Sequence, residues 1–260
     1  MAVHAPQKEA FYIAKKHHHW LKLFELGSAL LAALLSLLTF LPIYPSIEKC
    51  VDVLPAVLLI VALYLKIRFQ LSYREAESIR RDSLIDNSFG TKLAETKSVK
   101  YYDNEEMSAG LQKLLSSIHE SSALSLPIVN KMFWKQNLIN LVSIVCLVSA
   151  YVIISSRPKI FLALFIGFMS LNMIGSSIEL YLLKNNISIV STNCKSICEN
   201  HLNNDNKPLT NLAQAYIIRE CLRYENALSY ASIMFDNDAY QRLNKTHIHK
   251  WQKIKERYYK

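Results

Sequence analysis

Glycine is scarce in this chain, with five glycines among 260 residues. The glycines are dispersed, so the sequence contains no glycine-rich loop of the kind that cradles nucleotide phosphates at a helix N-terminus. It also contains no G-x-S-x-G, no H-E-x-x-H, no P-loop and no dinucleotide-binding fingerprint. These absences argue against an enzyme and against a bound cofactor, and we expect neither.

Cysteine is sparse as well, with five residues. Cys194 and Cys198 are four residues apart and could share one helix face, but two thiols without a second pair indicate a metal site only weakly. Inert thiols are the simpler interpretation, and we expect no metal. If the chain forms two transmembrane hairpins, Cys50 is the only cysteine in the turns outside the membrane, so no disulfide can form there within one chain.

Strong alternation of apolar and polar residues is absent, whereas four long apolar segments are present at residues 21–43, 51–69, 137–155 and 160–183. A hydrocarbon core about 30 Å thick needs roughly 20 helical residues to cross it. We therefore expect an all-α membrane protein with four transmembrane helices in two hairpins. Short turns at residues 44–50 and 156–159, each with a proline, would close the hairpins. The second segment is the weakest, because Lys66 and Arg68 lie near its end.

Basic residues predict the orientation of the two hairpins. The predicted turns contain only Lys49, Arg157 and Lys159, while many more lysines and arginines flank the other ends of the apolar segments. By the positive-inside rule, both termini and the middle segment are expected in the cytoplasm of a multi-pass protein. The predicted divisions are a lead-in at residues 1–20, hairpins at 21–69 and 137–183, and helical cytoplasmic segments at 70–136 and 184–260.

The cytoplasmic segments read as helical. The second apolar helix is predicted to continue past residue 69 and to end at residues 87–90, where Asn, Ser, Phe and Gly follow one another. A short amphipathic helix is predicted at residues 111–118 and a basic one at 239–260. An apolar stripe within residues 212–224 predicts a further helix, and residues 203–208 read as a loop.

Polar residues inside two apolar segments are candidates for a pore lining. Asn172, Ser176 and Glu179 are spaced four and three apart and so lie on one helix face. A ring of Glu179 carboxylates in an oligomer would favour cations. Ser28 and Ser36 mark a second candidate face of small residues. The alternative is that these groups bond neighbouring helices or suit close helix packing.

Basic residues in the cytoplasmic segments are candidates for ligand binding, since they neutralise phosphates and the aromatic residues among them can stack on bases. They are Arg74, Arg80, Arg81, Arg219, Arg223, Lys245 and Lys250. The alternatives are a solvated helix or an intersubunit salt-bridge belt, an element that couples a cytoplasmic ligand to the pore, and contact with anionic lipid headgroups.

The chain resembles a known family in three respects. These are the two hairpins separated by a helical segment, the stretch RRDSLIDNSFG at residues 80–90, and the tail helix containing QAYIIRE at residues 214–220. They are similar to the bacterial four-span effectors associated with nucleotidyltransferases, the S-4TM family. The resemblance implies an effector of antiphage defence in the bacterial inner membrane, controlled by a nucleotide product of its partner enzyme. In the Hailong type, DNA oligomers would hold a channel shut, whereas in signalling types a cyclic nucleotide would open it.

From these observations we expect a homo-oligomeric ion channel, with a tetramer as the expected assembly. Four apolar segments per subunit would make a pore most simply by oligomerising. Its partners would be the lipid bilayer, a nucleotidyltransferase and an oligonucleotide or cyclic nucleotide ligand, and its activity would depolarise the membrane and arrest growth. The competing hypotheses are a non-conducting membrane scaffold that recruits a cytoplasmic partner, and a pore without a ligand.

Overall fold

A computed structural model of the chain describes residues 7–38, 45–96, 102, 104–154, 173–202, 209–235 and 237–259. Every regular element in these ranges is helical, which confirms the all-α part of the prediction. The helices are α1 (Lys8–Leu38), α2 (Pro45–Phe89), α3 (Leu111–Ile154), α4 (Met173–Ile197), α5 (Asn211–Ala231) and α6 (Asn237–Tyr258). A π-helical turn at Cys198–Leu202 continues α4.

The prediction of four transmembrane helices is wrong for the described residues. None of the helices in these ranges is both long and apolar enough to cross a membrane. The described parts of the predicted spans belong to longer helices rather than to separate apolar ones. Lys22 and Glu25 interrupt the apolar part of α1, and Lys66 and Arg68 interrupt that of α2. Residues 160–172 of the fourth predicted span lie outside the described residues.

The structure differs from the prediction at the first outer turn. Residues 45–50 form the first turns of α2 rather than a connection. Pro45 fits this position, because the first residue of a helix needs no N–H donor and the proline ring presets a helical φ. The predicted turn at residues 156–159 and the predicted loop at residues 203–208 lie outside the described residues.

The predicted end of α2 is confirmed. The helix ends at Phe89, and Gly90 follows with a φ of 71°, in the left-handed region that glycine adopts without strain. Asp86 then holds the segment that leaves the helix. Its carboxylate accepts hydrogen bonds from the Thr91 hydroxyl at 2.6 Å, the Leu93 N–H at 2.8 Å and the Ala94 N–H at 2.8 Å.

The predicted helix at residues 111–118 begins where expected but is far longer. It is the start of α3, which runs on to Ile154 with Pro127 inside it. The two helices predicted in the tail are confirmed as α5 and α6. Thr210 caps α5 by accepting a hydrogen bond at its Oγ1 from the Ala213 N–H.

Two compact units divide the chain. Unit A consists of Met1–Phe11, Tyr73–Phe133 and Glu179–Lys260, and unit B of Tyr12–Ser72 and Trp134–Ile178. The core of unit A is built by α3, α4 and α5. Leu183, Ile187, Val190 and Cys194 recur at intervals of four, three and four residues along α4, and all are buried. Such a stripe is the apolar face by which one helix packs against others.

Unit B contains a polar contact between α3 and α4. The Ser177 hydroxyl bonds to Asn137 Oδ1 at 3.1 Å and to Asn140 Nδ2 at 2.7 Å. Many large apolar side chains of unit B are exposed, among them Val53, Ile60, Leu63, Leu138, Leu141, Val142 and Val145.

Candidate anion-binding site

Two helices of unit A present polar and basic residues at helical spacing. Arg74, Ser78 and Arg81 recur at intervals of four and three along α2. Arg223, Asn226 and Tyr230 recur at intervals of three and four along α5. Residues at these intervals lie on one helix face. The sequence therefore folds each set into a row, and the two rows line adjoining cavities.

The first cavity has a volume of about 560 Å³ and is lined by Arg74, Ser78, Arg81, Asn226, Ser229 and Tyr230. The second has a volume of about 390 Å³ and is lined by Leu182, Leu183, Asn186, Arg223, Asn226, Ala227 and Tyr230. Because they share Asn226 and Tyr230, we describe them together as the arginine groove. No carboxylate is among these lining residues, so the charge facing the groove is positive.

The Arg81 guanidinium is held by two neighbouring side chains and is partly exposed to solvent. Its Nε lies 3.3 Å from Glu225 Oε2, and its terminal nitrogen donates to Ser229 Oγ at 2.8 Å. The side chain is nevertheless 43% exposed. Arg74 is exposed, and no ion pair within the described residues engages it. The first cavity thus offers one preoriented guanidinium, that of Arg81, and one free to adapt, that of Arg74.

A buried ion-pair network lies beside Arg81. The Arg80 guanidinium bonds to Glu77 at 2.9 Å and to Glu225 at 2.6 Å, and all three residues are buried. Burial would by itself lower the pKa of Arg80, but the carboxylates of Glu225 and Glu77 raise it well above its usual value. Arg80, predicted as a ligand-binding residue, is thereby occupied in the core and does not line the groove.

The two arginines predicted on α5 have different surroundings. Both bond to Glu220, which is fully buried, at 2.9 Å from Arg219 and 3.1 Å from Arg223. The Arg219 guanidinium also stacks over the Tyr216 ring, 4.9 Å from its centroid. Only Arg223 lines the groove. Glu220 therefore anchors Arg223, and the Arg223 side chain is still 34% exposed.

Tyr230 gives the groove an aromatic surface. It is 72% exposed and borders both cavities. An exposed ring flanked by guanidinium groups suits a ligand that carries both phosphates and flat bases, because phosphates pair with arginine forks and bases stack on aromatic faces. Asn226 adds amide donors and acceptors between them.

The other predicted ligand-binding residues lie elsewhere. Lys250 is exposed on α6 and lines a different cavity. Lys245 is also on α6, but its side chain lies outside the described part of the chain. The structure thus brings together Arg74, Arg81 and Arg223 from the predicted set. Sequence reasoning missed Ser78, Asn226 and Ser229, although two of them share the helical spacing of the arginines.

The residues predicted to line a pore are separate from this groove. Asn172 and the Ser36 side chain lie outside the described residues. The Ser28 hydroxyl donates to the Glu25 carbonyl oxygen at 2.9 Å. Ser176 and Glu179 are half-buried on α4, while the neighbouring Ser177 makes the contact with α3. The lining of a pore therefore stays a prediction.

Cys194 and Cys198 have the surroundings of inert thiols. Cys194 and Cys198 are buried, and the Tyr259 hydroxyl lies 3.1 Å from Cys198 Sγ. Burial raises the pKa of Cys198 to about 11, so the reactive thiolate is rare at neutral pH. Within the described residues, no group of three or more His, Cys, Asp and Glu side chains is arranged to hold a metal.

Comparison of the chain with protein-family models, with curated proteins and with solved structures gave no match.

Proposed function

We propose that this protein is a nucleotide-controlled effector of bacterial antiphage defence, and that the arginine groove of unit A binds its ligand. The observation that carries the proposal is the convergence of Arg74, Arg81 and Arg223 around the exposed ring of Tyr230, with no carboxylate among the lining residues. The ligand is a short single-stranded DNA or a cyclic nucleotide supplied by a partner nucleotidyltransferase.

The chemistry of the groove supports a phosphate-bearing ligand. A guanidinium offers paired N–H donors that match the oxygens of one phosphate, which gives stronger and more directional bonds than an ammonium does. Arg81 and Arg223 are held by buried carboxylates at one edge, so little side-chain entropy is lost when their other donors bind. Tyr230 supplies a stacking face that accepts any base.

The proposed output is ion conduction across the bacterial inner membrane by a homo-oligomer, expected to be a tetramer. This part is supported by the family resemblance of residues 80–90 and 214–220 and by none of the described contacts. The chain itself would have no enzymatic role. The exposed apolar side chains of unit B favour a second candidate, a non-conducting scaffold that docks a partner through that surface.

Binding is tested by fluorescence anisotropy of a labelled oligothymidylate, with cyclic dinucleotides as competitors. Arg74→Ala should weaken binding about tenfold, the equivalent of about 1.4 kcal/mol for a lost charge-assisted bond. Tyr230→Ala should cost about 1–3 kcal/mol of stacking. Arg81 is not used, because it also bonds to Glu225 and its loss would disturb the buried network.

Arg68→Ala is the matched control, since Arg68 is exposed on the same helix and lines neither cavity. Equal affinity of all three variants would place the ligand elsewhere. The output is tested separately by ion flux from vesicles containing purified protein, with and without ligand. Flux that responds to ligand supports conduction, whereas ligand binding without any flux moves the proposal to the scaffold.

A further inference from the structure

A third cavity in unit A differs from the two cavities of the arginine groove in its chemistry. It has a volume of about 440 Å³ and is formed by residues of α3, α4 and α6. One part of its wall is apolar, with Leu126, Pro127 and Ile254. The other part carries Lys184, Ser188, Ser191, His247 and Lys250. No carboxylate is among the lining residues, so the cavity combines an apolar wall with two ammonium groups.

Trp251 contributes an aromatic ring to this wall. It is 2% exposed and lines the cavity, and its buried indole Nε1–H finds no acceptor within the described residues. The ring is held by edge contacts, with its centroid 5.4 Å from that of His119 and 6.0 Å from that of Tyr259. Buried N–H donors are nearly always satisfied, so this unpaired donor is an exception in the core beside the cavity.

The two lysines are available to an anion. The Lys184 ammonium lies 4.9 Å from the centroid of the Phe133 ring, a contact that leaves its charge uncompensated by a carboxylate. Lys250 is exposed, and no ion pair within the described residues engages it. Hydroxyl groups of Ser188 and Ser191 add donors on the α4 side.

We propose that this cavity binds a small amphipathic anion, a phosphate or carboxylate attached to an apolar or aromatic body. The charged group binds at Lys184 and Lys250, and the body packs against Leu126, Pro127 and Ile254 beside Trp251. The site is separate from the arginine groove, and the inference does not rest on the function proposed for that groove.

The experiment uses Trp251 as its own reporter. The chain has three tryptophans, and the other two, Trp20 and Trp134, are 55% and 64% exposed. Replacing both by phenylalanine leaves Trp251 as the single source of indole fluorescence in the full chain. This protein is titrated with phenyl phosphate, with decanoate and with inorganic phosphate. Calorimetric titration of the unsubstituted chain with the same compounds serves if the double variant does not fold.

We expect a saturable change in Trp251 emission with phenyl phosphate or decanoate. The compound with the higher affinity shows whether the apolar part of the ligand is aromatic or lipid-like. Lys250→Met should weaken that affinity about tenfold, as expected for a lost charge-assisted bond. Lys253→Met is the matched control, because Lys253 is exposed on the same helix and does not line the cavity.

Three results would overturn the inference. The first is the absence of saturation with both organic anions in fluorescence and calorimetry. The second is equal affinity in Lys250→Met and Lys253→Met. The third is inorganic phosphate binding as tightly as phenyl phosphate, which would mean that the apolar wall contributes nothing. Arg74→Ala should leave the affinity for phenyl phosphate unchanged. A weaker affinity in this variant would mean that the cavity and the arginine groove are one site.

Discussion

Glu225 is the residue on which the buried charges of unit A depend most. Its Oε2 accepts from both Arg80 and Arg81, while its Oε1 is buried without a partner in the described residues. Glu225→Gln removes one of the two carboxylates that bond to Arg80 and leaves Glu77, so the free energy of unfolding should fall by about 1.5–3 kcal/mol, the range for a hydrogen bond to a charged group. Urea denaturation measures this.

The control for Glu225 is an exposed pair. Lys195 lies 3.9 Å from Glu199, and their side chains are 58% and 41% exposed. Lys195→Met should change the free energy of unfolding by less than about 1 kcal/mol. Similar losses in Glu225→Gln and Lys195→Met would mean that the buried network adds nothing to stability beyond a surface pair.

His119 should make the stability of the protein depend on pH. Burial, followed by the charge of Lys195, lowers the pKa of His119 to about 4 from a usual 6.5. In the unfolded chain His119 therefore binds a proton as the pH falls below 6.5, whereas in the folded chain it binds that proton only near pH 4. Stability is complete above pH 6.5 and is lost as the pH falls through this window, by about 1.4 kcal/mol per pH unit for one proton.

His119→Gln should flatten this dependence. Glu77, whose pKa is raised by burial, titrates in the opposite sense, and His18, with a pKa lowered by burial to about 4, adds a second proton. The comparison is therefore between the slopes of wild type and variant from pH 6.5 to 4 in urea titrations. Parallel slopes in the two proteins would contradict the assignment to His119.

At the scale of elements, the end of α2 is the most sharply determined. Gly90 has a φ of 71°, and a Cβ there would meet no atom within 4 Å. Gly90→Ala should therefore cost only the backbone term, about 1 kcal/mol in urea unfolding. A neutral effect would mean that the chain leaves α2 by another conformation.

Sequence patterns predicted the end of α2 but not which residues of α5 are buried. The Asn-Ser-Phe-Gly stretch predicted the end of α2 because a helix end depends on the residues at that end, here on Gly90 with its positive φ. The length of α3 was missed, since Pro127 is tolerated inside it. In α5, Leu212 and Leu222 were predicted within an apolar stripe, yet they are 56% and 58% exposed while Glu220 is fully buried. Only the arginines that pair with Glu220 make that burial favourable, and hydropathy does not register such pairs.

At the scale of the whole molecule, apolar length was the misleading signal. Four apolar segments predicted four transmembrane helices, but the first two of these segments contain charged residues, Lys22 and Glu25 in α1 and Lys66 and Arg68 in α2. The candidate site was predictable in part. Basic residues pointed to Arg74, Arg81 and Arg223, but they are 142 or more residues apart between α2 and α5, and sequence alone gives no reason to bring those two helices together.

The salt dependence of oligonucleotide binding tests the central claim most directly. Each neutralised phosphate of a single strand contributes about −0.7 to the slope of log affinity against log salt concentration. If the arginine groove contacts phosphates as proposed, Arg74→Ala should make the slope shallower by about 0.7, while Arg68→Ala should leave it at the wild-type value. Identical slopes in all three proteins would contradict phosphate binding in the arginine groove.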